Sequence, residues 1–122
     1  MGRTLLVVDD ESTTRRLVMF TLRPLNVEVI GAEDGLSALE MARTHPVDMM
    51  LVDINLPTMD GFTLIRELKA LPQLADVPLI TFTARNYPED EARAQQLGAA
   101  GFLYKPFSTQ ELRSLVTHHL GA

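Results

Sequence analysis

The sequence contains no cysteine among its 122 residues. A disulfide framework, a cysteine nucleophile, a thiolate zinc site and an iron–sulfur cluster are therefore excluded. The chain also has no excess of basic residues, since 16 acidic and 11 basic side chains give a net charge of −5. Such a chain binds phosphate backbones and anionic lipid poorly, so we expect neither direct nucleic-acid binding nor association with a membrane.

Long hydrophobic runs and targeting segments are missing as well. No apolar stretch approaches the roughly 20 residues that span a bilayer, and the first residues lack the hydrophobic region of a signal peptide. They also depart from the N-myristoylation pattern, because Leu6 stands where serine or threonine is required. The expected location is therefore the cytoplasm.

The composition that remains is that of one folded domain. Hydrophobic residues make up 46% of the chain and charged residues 22%, both close to the averages of globular proteins. Single domains commonly have about 100–150 residues, so residues 1–122 are predicted to form one domain with its own core.

Apolar runs typical of β-strands alternate with helical patterns along the whole chain. The runs comprise residues 5–8, 27–30, 49–52, 78–82 and 101–103. The first and third are apolar at every position, which is typical of strands buried on both faces of a parallel sheet. Five β-α units predict an α/β fold with right-handed crossovers and helices on both faces of the sheet.

Each interval between the runs carries a predicted helix. We expect Ser12 or Thr13 to cap the first helix and Leu17, Phe20 and Thr21 to face the core. The signals for the other helices are Asp34, Asp60, Pro88 and Ser108 at their starts and Gly98 at the end of the fourth.

Polar residues follow the strands at the edge where parallel sheets bind ligands. They are Asp9 and Asp10 after the first strand, Asp53 after the third, Thr83 after the fourth and Lys105 after the fifth. Converging carboxylates favour a divalent cation, a proton or a lysine beside them. Oxygen ligands without histidine or cysteine suit Mg²⁺ rather than Zn²⁺. With a lysine, a hydroxyl and a nucleophilic aspartate, this edge is suited to a phosphoryl group.

Five motifs in order along the chain are similar to those of response-regulator receiver domains, in particular chemotaxis-type receivers of a single domain. They are Val7-Val8-Asp9-Asp10-Glu11, Val52-Asp53-Ile54-Asn55-Leu56-Pro57, Met59-Asp60-Gly61, Thr83-Ala84-Arg85 and Phe102-Leu103-Tyr104-Lys105-Pro106-Phe107. The resemblance covers essentially the whole chain. It implies a flavodoxin-like, doubly wound sheet of five parallel strands in the order 2-1-3-4-5, with five helices.

The resemblance also implies how the acidic residues act. Asp53 would accept a phosphoryl group from a histidine kinase or a phosphotransfer protein as an acyl phosphate. Mg²⁺ would be bound by Asp10 and Asp53, by the backbone carbonyl of Asn55, and by Asp9 largely through water. The domain would then be a signalling switch and not an enzyme acting on an external substrate.

Three further residues take roles in the switch by the same resemblance. Lys105 would pair with a phosphoryl oxygen, and the peptide between Lys105 and Pro106 would be cis. Thr83 would bind the phosphoryl group once it is present, and Phe102 would move inward when Thr83 moves. Arg85 stands where the family tunes dephosphorylation. The downstream protein partner and the cognate kinase are not indicated by the sequence.

One departure from the family concerns output. Receivers of transcription factors that dimerise through the fourth helix, fifth strand and fifth helix carry an acid where this chain has Ala100 and Gly101. They also carry an arginine where it has Leu115. The resemblance therefore does not extend to that charged dimer interface.

Other functions remain as alternatives at this stage. One alternative is a degenerate receiver that acts as a scaffold independently of phosphorylation. A Mg²⁺-dependent phosphatase of the haloacid-dehalogenase type needs a second aspartate two residues after its nucleophile, where this chain has Asn55. A flavin-binding flavodoxin needs a Ser/Thr-rich loop after the first strand, where this chain has Asp9-Asp10-Glu11. Neither Gly-rich nucleotide-binding pattern occurs.

Overall fold

Five parallel strands form one sheet in the computed structural model, which describes residues 2–84 and 87–121. The strands are β1 (Arg3–Val8), β2 (Val27–Ala32), β3 (Met49–Val52), β4 (Leu79–Thr83) and β5 (Gly101–Tyr104). Their order is β2-β1-β3-β4-β5. The helices that follow them are α1 (Ser12–Leu22), α2 (Gly35–Thr44), α3 (Gly61–Ala70), α4 (Pro88–Gln96) and α5 (Thr109–Leu120). The doubly wound, flavodoxin-like prediction is confirmed.

The core has two layers because side chains of a strand point alternately to opposite faces of the sheet. The layer beneath α1 and α5 contains Leu5, Val7, Val18, Leu22, Met49, Leu51, Leu112 and Val116. The layer on the opposite face contains Leu6, Val8, Met50, Val52, Leu64, Ile65 and Leu68. Within the described residues, no helix combines the length and the apolar character that a bilayer span requires.

Most predicted helix boundaries are confirmed. Asp34 caps α2 by accepting the Ser37 N–H at 2.8 Å, and Asp60 caps α3. Ser108 and Glu111 form a capping box at the start of α5, which satisfies two backbone donors at once. Gly98 follows α4 with a φ of 110°, a left-handed conformation that glycine adopts without steric cost.

The prediction for α1 is wrong in two respects. Its N-cap is Glu11, and neither Ser12 nor Thr13 caps it. Leu17 and Phe20 are exposed, at 49% and 61% of their surface. The helix instead turns Val18 and Leu22 to the core, together with Thr21 as predicted. The Arg23 guanidinium lies over the Phe20 ring, with its Cζ 4.9 Å from the ring centroid. This contact shields part of the ring on the surface.

The β3–α3 connection is packed against the start of α3 without space for a side chain. A Cβ added at Gly61 would collide with the backbone of Ile54, lying 2.5 Å from its carbonyl oxygen and closer still to its Cα. Gly61 has no positive φ, so close approach of the backbone explains the glycine. This contact fixes the loop that follows Asp53.

We expect Gly61→Ala to destabilise the fold by at least about 2 kcal/mol, because the backbone of Ile54 must shift to admit one methyl group. The free energy of unfolding measured with urea checks this. Gly101→Ala is the matched control, since its added Cβ would meet only the flexible side-chain end of Ile80, at 3.2 Å. Equal effects of the two substitutions would contradict the close-packing explanation.

Candidate functional site

The carboxyl ends of β1 and β3 bring three predicted acidic residues together. Val8 is opposite Val52 in the parallel register, and the Asp53 N–H donates to the Val8 carbonyl at 2.9 Å. One carboxylate oxygen from each of Asp9, Asp10 and Asp53 lies within 4.8 Å of the others. Asp9 is fully buried and Asp53 is 4% exposed, whereas Asp10 faces solvent.

Lys105 reaches this cluster from the end of β5. Its Nζ donates to Asp9 Oδ2 at 2.5 Å and to Asp53 Oδ2 at 3.0 Å. Nζ also lies 3.9 Å from a Glu11 carboxylate oxygen and 4.7 Å from the centroid of the Phe82 ring. The lysine therefore neutralises part of the negative charge that the strand ends collect.

Both buried carboxylates are fixed by the backbone two residues further along. Asp9 Oδ1 accepts the Glu11 N–H at 2.9 Å, and Asp53 Oδ1 accepts the Asn55 N–H at 2.8 Å. In each aspartate the other oxygen binds Lys105. Contacts within the protein therefore hold both carboxylates in one orientation.

Burial and charge oppose each other in setting the pKa values here. Burial raises the pKa of Asp53 above its ordinary value, although the Asn55 N–H and Lys105 act in the opposite direction. Burial alone would lower the pKa of Lys105. Its hydrogen bond to Asp9 and the charge of Asp53 outweigh burial, so the pKa of Lys105 lies above its usual range. Lys105 therefore stays charged at neutral pH.

The two predicted switch residues lie on adjacent strands beside α4. Thr83 ends β4 and is 3% exposed, and Phe102 lies in β5 and packs partly buried against the core. Together with Ile54 and Tyr104 they line a small crevice under the first turn of α4. The Lys105–Pro106 peptide is cis, as predicted. Arg85 lies outside the described residues.

Two residues beside the cluster were not found by sequence reasoning. Glu11 places a carboxylate near Lys105, and Arg15 Nη1 donates to the backbone carbonyl of Asp9 at 2.6 Å. Glu11 lies within a recognised motif, which was its only signal. The contact of Arg15 could not be read from the sequence, because every residue offers a backbone carbonyl like the one it binds.

The donor set fits a magnesium ion. Asp9, Asp10 and Asp53 offer carboxylate oxygens only, and such oxygens are the protein ligands that Mg²⁺ prefers. Asp10 is exposed, so the solvent side of the cluster can supply the waters that Mg²⁺ usually retains. The exposed Asn55 lies two residues after Asp53 on the same loop, and its backbone carbonyl is the neutral oxygen that the resemblance assigns to the metal.

Known proteins share both this fold and these sequence motifs. Residues 5–117 match the sequence profile described as response regulator receiver domain. The chemotaxis protein CheY4 of Vibrio cholerae has 31% identity and a TM-score of 0.94, over 98% of this chain and 100% of that one. The receiver domain of sensor histidine kinase PA1611 from Pseudomonas aeruginosa has 30% identity and a TM-score of 0.88, with full coverage of both chains. Its structure holds a magnesium ion in the active-site cleft.

The chain belongs to the response regulator receiver domain family. It is also similar to part of the phosphate regulon transcriptional regulatory protein PhoB of Escherichia coli. The identity is 37% over 112 residues, which are 92% of this chain and 49% of that protein. The chain thus spans about half the length of this curated relative. Receiver domains act as signalling switches, and they occur in proteins of different length.

We expect Asp53→Asn to raise the thermal midpoint by a few degrees at pH 7 without Mg²⁺. Because the pKa of Asp53 is raised, its contribution to stability is present at low pH and is lost as the pH rises through that pKa. The asparagine cannot ionise, and Lys105 keeps its bond to Asp9. The gain should therefore disappear below the ordinary aspartate pKa of about 3.9.

Thermal melts at several pH values in the presence of a chelator measure this difference. Asp10→Asn is the matched control, because Asp10 belongs to the same cluster but is exposed. Its gain should be smaller than that of Asp53→Asn. A lower midpoint for Asp53→Asn at pH 7 would contradict the effect of burial on this carboxylate.

Proposed function

We propose that this domain accepts a phosphoryl group on Asp53 in a Mg²⁺-dependent reaction and then changes its affinity for a protein partner. The observation that carries the proposal is the buried Asp53 carboxylate, which Lys105 contacts at 3.0 Å inside a cluster of three acids. The donor would be the phosphohistidine of a histidine kinase or a phosphotransfer protein. The family relationship supports this donor, as does the similar receiver domain of a sensor histidine kinase.

The reaction exchanges one bond to phosphorus for another. An oxygen of the Asp53 carboxylate forms the new O–P bond, giving an acyl phosphate. The bond from phosphorus to the donor's imidazole nitrogen breaks, and its electron pair stays on that nitrogen, which takes up a proton from solvent. Lys105 pairs with a phosphoryl oxygen throughout, and the Thr83 hydroxyl donates a hydrogen bond to the phosphoryl group of the product.

The acidic cluster would hold the metal with residues already in place. Asp10 and Asp53 would bind Mg²⁺ directly together with the Asn55 carbonyl, and Asp9 would contribute mainly through water. When bound, Mg²⁺ would neutralise charge on the phosphoryl oxygens. The similar PA1611 receiver, which holds magnesium in its cleft, supports this assignment.

Acetyl phosphate with Mg²⁺ should add the mass of one phosphoryl group to the wild-type protein, as measured by intact mass spectrometry. Asp53→Asn should gain nothing, because an amide is a poor nucleophile. Lys105→Met keeps the length of the side chain and should slow the reaction by about 100-fold, since it removes one charged donor to the developing oxyanion.

Asp48→Asn is the control for this experiment, because Asp48 lies before β3 at the opposite end of the sheet and binds the Thr4 N–H. It should react at the wild-type rate. A wild-type protein that binds no Mg²⁺ and gains no mass would refute the proposal and favour a scaffold that does not depend on phosphorylation. Addition of the group to Asp53→Asn would place the acceptor elsewhere.

The proposed signal leaves the site through Thr83 and Phe102. A phosphoryl group on Asp53 brings nearly two negative charges and strong acceptor oxygens, which would draw the Thr83 hydroxyl inward. Thr83 and Phe102 share the crevice beneath α4, so this movement makes room for the ring, and filling a buried void is favourable. The surface formed by α4, β5 and α5 would then change shape.

Beryllofluoride with Mg²⁺, a mimic of the phosphoryl group, should shift backbone amide resonances around Asp53 and also across residues 87–107. Thr83→Val removes only the hydroxyl and should abolish the distant shifts while the shifts near Asp53 remain. Thr81→Val is the matched control on the same buried strand and should keep both sets. Distant shifts that persist in Thr83→Val would refute this route.

A further inference from the structure

Arg15 lies one turn into α1 and reaches back to the end of β1. Its Nη1 donates to the carbonyl oxygen of Asp9 at 2.6 Å, across six residues of sequence. The side chain is half-buried, whereas the neighbouring Arg16 is exposed. A short hydrogen bond from a charged guanidinium to a carbonyl is stronger than one between neutral groups. The guanidinium of Arg15 therefore holds the carbonyl oxygen of Asp9 firmly in place.

That oxygen belongs to the peptide unit that joins Asp9 to Asp10. The atoms of a peptide unit lie in one plane that extends to the Cα of the following residue. Fixing the carbonyl of Asp9 therefore fixes where the Cα of Asp10 lies and how its side chain leaves the backbone. Asp10 is exposed, and the described structure shows no hydrogen bond from a protein donor to its carboxylate.

Asp9 itself has a partner at each polar position. Its N–H donates to the Ala32 carbonyl at 3.1 Å, its carboxylate oxygens accept from Glu11 and Lys105, and its carbonyl accepts from Arg15. Of these contacts, the one from Arg15 acts on the peptide that leads to Asp10. Losing it would release the less constrained half of the acidic pair.

Gly31 in β2 provides the path that the arginine follows. A Cβ added at Gly31 would lie 3.0 Å from Arg15 Cδ and 3.4 Å from Nε. Gly31 is exposed and has no positive φ, so its backbone conformation does not require glycine. The absence of a side chain lets the aliphatic part of Arg15 lie flat on the edge strand.

We propose that Arg15 is a positioning residue for the metal site: it holds the Asp9–Asp10 peptide so that the Asp10 carboxylate is directed into the cluster, and Gly31 leaves the space it needs. This inference rests on the proposed function, since it assumes that the cluster binds Mg²⁺. It assigns a role in the site to the start of α1, which carries none of the three carboxylates of the cluster.

Electrostatics and positioning predict opposite results when Arg15 is replaced. Removing a positive charge beside an acidic cluster should by itself tighten the binding of a cation. Removing a residue that orients a metal ligand should weaken the binding of the cation, typically by about 10–100-fold. The sign of the change in Mg²⁺ affinity therefore distinguishes the two effects.

The experiment titrates Mg²⁺ alone into the full chain and follows the amide resonances of Asp10 and Asp53. Arg15→Met keeps an aliphatic chain over Gly31 and removes the donor, so Mg²⁺ should bind about 10-fold more weakly. Arg16→Met removes an equal charge from the next residue and should bind within about twofold of wild type or more tightly. Arg15→Lys, which keeps a donor, should restore part of the affinity. In the metal-free protein, the Asp10 amide should shift in Arg15→Met and stay in place in Arg16→Met.

Gly31→Val tests the path without changing any charge or ligand. It should displace Arg15 and weaken Mg²⁺ binding, and it should add no further loss when combined with Arg15→Met. Losses that multiply in the double variant would show that Gly31 does not act through Arg15 and would overturn the inferred route. Thermal melts without Mg²⁺ verify that each variant is folded.

Arg15→Met that binds Mg²⁺ as tightly as wild type, or more tightly, would overturn the inference while leaving the proposed function intact. Should Arg15→Met fail to fold, wild-type affinity in Gly31→Val would have the same consequence. A wild-type protein that binds no Mg²⁺ at the cluster would overturn the proposed function and this inference together.

Discussion

The repulsion among three carboxylates at the edge of a buried sheet is the constraint on which the rest of the site depends. Asp9 and Asp53 have lost nearly all contact with water, and a buried charge is tolerated only when it is paired and hydrogen-bonded. Lys105 supplies one positive charge to both. Three acids and one lysine leave two negative charges uncompensated, which is the deficit that the proposed divalent cation would fill. The fold thus collects the charge that the proposed Mg²⁺ would neutralise.

The elements around this cluster differ in how firmly they are held. β1 and β3 lie inside the sheet and are covered on both faces, so the acids at their ends have a rigid base. On the other side, α4 buries only Ala94 among its described residues. Elements with few buried contacts open and shift at low cost. The site therefore joins a rigid acidic cluster to a loosely packed helix, which is the arrangement that the proposed switch requires.

Much of the fold and of the site could be predicted because the signals are local. Continuous apolar runs marked the strands, the caps Asp34, Asp60 and Ser108 marked the helices, and the sheet then brought the acids together. The face of α1 could not be predicted in this way. Its sequence offers two overlapping apolar stripes, one with Leu17 and Phe20 and the other with Val18. Only packing against α5 and β2 decides between them. The contact of Arg15 escaped for a different reason, because any residue offers the carbonyl that it binds.

Local signals also leave the output of the domain undetermined. Segments similar to this chain occur in a chemotaxis protein, in a sensor histidine kinase and in a transcriptional regulator. The receiver fold is therefore compatible with different partners, and the partner of this chain has to be argued from its surface. On that surface Ala100, Gly101 and Leu115 replace charges that one class of receivers uses for dimerisation. That charged dimer contact is therefore not expected here.

The energies that hold α4 indicate how the switch can work at all. Arg93 joins α4 to α3 through an ion pair with Asp60 at 3.9 Å and through the Phe62 ring, 4.3 Å from its centroid. Both the arginine and the aspartate are more than half exposed, so the ion pair is worth about 0–1 kcal/mol. The ring contact adds roughly 0.5–1 kcal/mol. A new hydrogen bond from Thr83 to a charged phosphoryl oxygen is worth about 1.5–3 kcal/mol. One such bond is comparable in size to these two contacts together, so the phosphorylation proposed at Asp53 would be of the right order to bias the position of the helix.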